Sequence, residues 1–412
     1  MTSKERILCA LNGIKPDHIP LTTWCFGFKP PEHLTWKRNG NQVRYWYSKR
    51  LEHIHTLPGA WDIEDDFNRA LAWRSLGIDD VLEVSVPWNV NPVIKWNDKL
   101  VARGNKGGDE QYPVLAREYE TPLGLLEHSV KQTGLEPPGW PVQADFVPLF
   151  DDYNIPRAVR HLIGSAHDID KFEYLYCPPG DEQKRWFDQR MSLVRKFSNE
   201  NGLFVQAWTA FGIDAVVWLT GVEGAILMSM NEPESFKKLV DAIARTDFER
   251  TLLAARTEGI DMICQRGWYS STAFWSPDFF DSFVIPHVAR LAELAHSYGK
   301  KFAYVITTGV ELLGSRLADA GVDLLFFIDP LQDGISLEQA KNLFGDKMTV
   351  AGGINSVSLI SRDREKIGSQ VKKAIEIMGQ TNRFILHPVD AIFPDTPWEG
   401  VEIMINAWKD FQ

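Results

Sequence analysis

Several residues of this chain have the types and spacing to do chemistry. His387 and Asp390 stand three positions apart: an imidazole that could orient or protonate an oxygen, and a carboxylate that could tune it. Read structurally, Asp390 is a loop residue that caps a helix. Arg266 precedes Trp268 and Tyr269, and a guanidinium there could grip a carboxylate or phenolate, or pair with a neighbouring loop. Asp329, just before Pro330, could bind a substrate hydroxyl or tie loops together. Thr307 and Thr308 follow an apolar run and read as pocket lining or as a plain strand end. Gly352 and Gly353, with Asn355 beyond them, would let a phosphate or a large cofactor approach the backbone, or would simply make a tight turn. Trp24, Phe26 and Trp208 add flat aromatic surface, in a chain where Trp (15) outnumbers Tyr (10).

Other patterns exclude function classes. A net charge of −11 argues against a nucleic-acid binder. Cys9, Cys25, Cys177 and Cys264 are far apart and form no CxxC pair, which suggests a reducing cytoplasm. The charged N-terminus reads as no signal peptide. The most apolar stretch, 215–230, is broken by Thr220, Gly221, Glu223 and Gly224, so no membrane span is expected. His53 and His55 with Glu64, Asp65 and Asp66 match no tight zinc spacing and read as a solvated acidic turn. His287 and His296 read as surface residues of a helix.

The elements that must position these residues alternate. Short apolar runs read as buried strands at 203–205, 262–264, 302–306, 324–328, 348–351 and 383–386, with two more at 18–25 and 81–86. Amphipathic helices separate them: 235–258, with a capping box from Asn231 and Glu234 and Pro233 in the first turn, and 284–298, stopped by Gly299. Eight such units predict an α/β fold, a single distorted (β/α)8 barrel spanning 1–412. An open doubly wound sheet would favour a GxGxxG fingerprint, which is missing from the sequence. The stretch at about 89–200, with a β-hairpin insertion at 117–132, reads as an elaboration covering the barrel mouth. In a barrel the chemical candidates, from Trp24 and Phe26 to His387 and Asp390, fall at strand C-termini, where catalytic groups sit. Trp24, Trp208 and Trp268 then converge from three strand exits, hinting at a flat aromatic substrate.

The blocks "ERILCALNGIKPDHIP" (5–20), "YETPLG" (119–124), "NEPESFKKLV" (231–240), "SPDFFDSFVIPHVARL" (276–291) and "PDTPWEGVEIMINAW" (394–408) resemble the uroporphyrinogen decarboxylase superfamily, which also holds corrinoid-dependent methyltransferases. The resemblance implies a barrel enzyme with its pocket at the strand C-termini. Decarboxylases of this kind carry an Arg-Gln-Ala-Gly-Arg segment where this chain has Thr23-Trp24-Cys25-Phe26-Gly27-Phe28-Lys29, so a polycarboxylate substrate is not expected. Zinc methyltransferases carry His-x-Cys-Gly where this chain has Ile306-Thr307-Thr308-Gly309, and a second Cys near Ala391. No zinc site, and no thiol methylation, is therefore expected. The segments "RGWYSSTAFWSP" and "ILHPVDAIFPDTPW" are similar to a methoxy-aromatic O-demethylase branch.

That resemblance implies methyl transfer from a small methoxylated aromatic compound to a corrinoid (cobalamin). In this role His387, Asp390, Arg266 and Asp329 are the catalytic candidates. Trp24, Phe26, Trp208, Trp268, Tyr269, Thr307 and Thr308 line the substrate, and Gly352, Gly353 and Asn355 face the cofactor. No Asp-x-His-x-x-Gly corrinoid signature occurs, so the cofactor is expected on a partner protein docked over the mouth. A decarboxylase of a smaller carboxylated substrate and a non-catalytic binding barrel are the alternatives, and a homodimer is left open.

Overall fold

Seven parallel strands form one sheet whose order follows the chain: Val81–Ser85, Phe204–Ala210, Met262–Gln265, Lys301–Val305, Leu324–Ile328, Thr349–Asn355 and Phe384–Val389. The structure, a computed structural model, describes residues 1–25, 31–34, 37–38, 41–42, 63–101, 112–132, 147–152, 154–393 and 395–412. Most of these strands are buried along their whole length, as parallel strands are when helices cover the outside and side chains fill the inside.

The expected strand at 18–25 is an irregular segment instead. It bridges Phe384–Val389 through Leu386 N–H to Pro20 O (2.8 Å) and Thr22 N–H to Leu386 O (3.0 Å). On its other side Asp79 N–H reaches Leu21 O at 2.8 Å, next to the Val81–Ser85 strand. Pro20 has no N–H to give a regular ladder. The segment still closes a distorted (β/α)8 barrel.

Inward side chains recur every second residue: Phe204 and Trp208, Met262 and Cys264, Ala303 and Val305, Leu324 and Phe326, Ile385 and Val389 share one buried cluster. Ile7, Ala10 and Leu11 of helix Ser3–Leu11 join it and plug the N-terminal end of the barrel. A capping box between Thr2 and Glu5 starts that helix.

The outer helices follow the expected pattern, with two corrections. Helix Ile285–Ser297 buries Val288, Leu291, Ala292 and Ala295 at helical spacing. Helix Pro233–Arg256 starts with Pro233 but lacks the expected capping box, because Asn231 still belongs to the preceding helix, Ile213–Asn231. That preceding helix is long and apolar enough to cross a membrane by length and composition, yet over half of its apolar window is buried in the fold. It breaks at Gly221, where φ is +73°. The second correction concerns Asp66. It is not solvated: in helix Ile63–Ser75 it is buried, accepts from Arg69 Nη2 at 2.6 Å and from Glu83 N–H at 2.9 Å. His53 and His55 lie outside the described residues.

Within the elaboration, Lys95–Val101, Val114–Thr121, Gly124–Lys131 and Ala158–Arg160 form an antiparallel sheet. The expected hairpin is its centre, turning between Thr121 and Gly124. The 147–152 segment then carries Asp152 to the loops after the barrel strands.

Candidate active site

Three tryptophans from three separate strand exits meet, as their placement in a barrel requires. The Trp24 ring lies 5.4 Å from Trp208 and 5.7 Å from Trp268, and those two are 6.0 Å apart. Phe326 (4.7 Å), Phe327 (5.0 Å) and His387 (5.3 Å) complete the ring of neighbours around Trp24. Trp208, both phenylalanines and His387 are buried, whereas Trp24 and Trp268 keep exposed surface. Phe26 lies outside the described residues.

His387 is not paired with the Asp390 side chain. Its Nδ1 shares a 2.9 Å hydrogen bond with Thr22 Oγ1, and its buried Nε2 has no partner among the described residues. Burial pushes the imidazole down to about 3, so it is neutral across the physiological range. It cannot supply an imidazolium proton there, although its uncharged ring can still orient an oxygen.

Asp390 is the acid that reaches the mouth. It is half-buried and accepts from Trp268 Nε1 at 3.1 Å. Burial against the aromatic rings pushes its carboxyl up to about 6, and the Trp268 hydrogen bond opposes this. The Asp152 charge raises it further, by more than the Arg266 charge lowers it.

Arg266 takes the loop-pairing role. Its guanidinium is buried between the rings of Trp268 (4.2 Å) and Trp218 (4.7 Å), with Nε on Asp214 at 3.1 Å and Nη2 on Asp152 at 3.3 Å. Asp214 also accepts from the backbone N–H of Tyr269 at 2.9 Å, and Tyr269 Oη donates to Asp152 at 3.0 Å. This network fixes the loop that carries Trp268 and Tyr269.

Glu83 was not distinguished in the sequence, where it is a lone acid inside an apolar run. It faces the barrel interior, and its Oε1 accepts from Gln206 Nε2 at 2.8 Å and from Trp208 Nε1 at 3.0 Å. Burial pushes it up to about 7. The signal available was parity: an ionisable residue at an inward position of a buried strand. Arg250 and Asp247, on a helix outside the barrel, carry no such signal in the sequence. Arg250 donates to Val86 O at 2.8 Å, and Asp247 accepts from the N–H groups of Phe211 and Gly212, so together they fix the first two strand exits.

The remaining candidates gather on neighbouring exits. Asp329 is buried and accepts from Asn355 Nδ2 at 2.6 Å, while Asn355 caps helix Ser356–Ile360. Both side chains are thus engaged with each other. Thr307 and Thr308 are half-buried, and Thr308 Oγ1 has no partner among the described residues. The two glycines do permit a close approach, but to the protein itself. A Cβ on Gly352 would sit 2.3 Å from Ile328 O, and one on Gly353 2.8 Å from Ala374 Cβ. The space a cofactor needs at either Cα is filled.

A family model described as uroporphyrinogen decarboxylase (URO-D) matches residues 150–411. None of the curated proteins matches the chain in sequence. Among solved structures, a methyltransferase from Methanosarcina mazei superposes with a TM-score of 0.57 at 17% identity, covering 100% of this chain and 99% of its own. A D-psicose 3-epimerase crystallised with D-fructose gives a TM-score of 0.38 at 12% identity, covering 55% of this chain and 84% of its own. At these identities the first likeness speaks to the shared barrel fold, and the second carries no weight.

Proposed function

Because this chain belongs to the uroporphyrinogen decarboxylase (URO-D) family, we propose that it is a methyltransferase that takes a methyl group from a small methoxylated aromatic compound and passes it to a corrinoid on a partner protein. The observation that carries this reading is Asp390, a half-buried acid raised to about 6 beside exposed tryptophan surface. Cleaving a methyl ether leaves a phenolate, and an acid with a pKa near the working pH is suited to protonate it. Trp24 and Trp268 supply the flat walls for the ring. Neutral His387 orients, held by Thr22.

Gly352 and Gly353 do not fit a resident corrinoid, since the protein's own atoms fill the space beside them. The corrinoid is therefore treated as the methyl acceptor, a substrate delivered by its carrier over the mouth. A decarboxylase that loses CO2 leaves a carbanion to be protonated, and it needs an available cation to position the carboxylated substrate. Arg266 is already covered by Asp152 and Asp214, which favours methyl transfer. We place the reaction in the cytoplasm.

The test is to mix the enzyme with a panel of methoxylated aromatics and a Co(I) corrinoid protein. A methyl-Co(III) spectrum is expected. Its absence across the panel, or CO2 release from a carboxylated analogue instead, would overturn the reading.

A further inference from the structure

We propose that the barrel mouth binds a methylated ammonium group, seated on the exposed surface of Trp24 and Trp268 and balanced by the Asp390 carboxylate. This rests on the mouth being the substrate seat, but not on which methyl acceptor is used.

Indole is the best aromatic seat for a cation. The protein already uses this recognition beside the mouth. The Arg266 guanidinium lies 4.2 Å from the Trp268 ring centroid and 4.7 Å from that of Trp218, with Asp152 and Asp214 as counter-charges. Arg266 is thus paired with two other carboxylates, and its charge acts on Asp390 only through space, by less than the Asp152 charge does. The described hydrogen-bond donor to Asp390 is a neutral indole N–H, and no cationic side chain pairs with it among the described residues. A ring surface beside a carboxylate with no described cationic partner favours a ligand that is both apolar and positive. A methylated ammonium is such a group: its charge is spread over methyl hydrogens that contact ring faces, and it does not need to donate a hydrogen bond.

Choline and its uncharged isostere 3,3-dimethylbutan-1-ol test this on the full chain by titration calorimetry, without any corrinoid. At pH 8 choline is expected to bind about tenfold more tightly than the isostere. The preference should shrink at pH 5, where Asp390 takes up its proton. Asp390→Asn should bring the two ligands to within about twofold, while Asp390→Glu keeps the preference, which separates loss of charge from loss of fold. Equal binding of the isostere, no binding of either ligand, or an Asp390→Asn variant that keeps the preference would overturn the proposal. If choline binds as expected but no methyl ether is demethylated, the methyl-transfer reading fails and this one stands. If ethers are demethylated and choline is not preferred, the reverse holds.

Discussion

The carboxylates around Arg6 and those beside Trp208 and Trp268 are held in opposite ways. At the N-terminal end Arg6 donates to Asp17 at 2.6 Å and pairs with buried Asp79, which also meets His18 at 3.1 Å. The hydrogen bond from Arg6 holds the Asp17 carboxyl well below the usual range. At the mouth, Asp390 accepts from an indole N–H, and within the barrel Glu83 accepts from an amide and an indole; burial raises both. Matched charges around Arg6 serve stability. Acids whose pKa burial raises towards neutrality beside the tryptophans are suited to proton chemistry, as the proposed reaction requires.

The largest expected effect lies at the mouth. Asp390→Asn should lower kcat by roughly 10²- to 10⁴-fold, the usual contribution of a general acid, while the melting temperature stays near that of the parent. In the parent, kcat should fall as pH rises through about 6, because the protonated form does the work. Stopped-flow rates across pH 5 to 8 check both. Arg6→Ala should do the opposite. Removing one partner of a buried pair costs about 3–5 kcal/mol. Denaturant melts should show that loss, with kcat of the folded fraction unchanged. If the two variants behave alike, the contrast between the two groups is wrong.

A smaller effect sharpens the comparison through pH. A carboxyl raised on folding contributes stability that is fully present below its unfolded pKa and lost as pH climbs through its folded value. For Glu83 that window runs from 4.5 to about 7. Glu83→Gln keeps the acceptor for Gln206 and Trp208 and removes the charge. It should therefore match the parent at pH 4 and exceed it by about 3 kcal/mol at pH 8. Asp17, held low, gives the reverse slope, losing its contribution as pH falls. The Asp17 loss sets in below its unfolded value of 3.8, so urea melts at pH 8 and pH 4 read Glu83 and a further series at pH 3 reads Asp17.

Much of this was legible in the sequence, and the reason is physical. Strands buried on both faces must be short apolar runs, so runs such as Leu324–Ile328 revealed the barrel. Once the strands are ordered, their exits converge, and this brought Trp24, Trp208 and Trp268 together in advance. Pairings between distant residues were not legible. Arg266 finds Asp214 and Asp152, 52 and 114 residues away, and no local pattern encodes either. Gly352 and Gly353 show the same limit: their small size permits close contact, but only the packed fold shows that Ile328 and Ala374 supply it. Pro20 misled because the apolar run around it looks like a strand, yet it cannot donate to a ladder.

The smallest effect concerns how His387 takes part. Its ring is sealed among Trp24, Phe326 and Phe327, and its described hydrogen bond is to Thr22. Thr22→Val keeps the side-chain shape and removes that bond, leaving both ring nitrogens unpartnered. The variant should lose about 1–2 kcal/mol in denaturant melts, the cost of an unsatisfied buried polar group. The pH at which kcat falls should stay near 6, because Asp390 sets it and His387 does not titrate there. A midpoint that moves with Thr22→Val would tie the proton to the histidine after all, and would break the separation between an orienting imidazole and a proton-donating carboxylate on which the reading of the mouth depends.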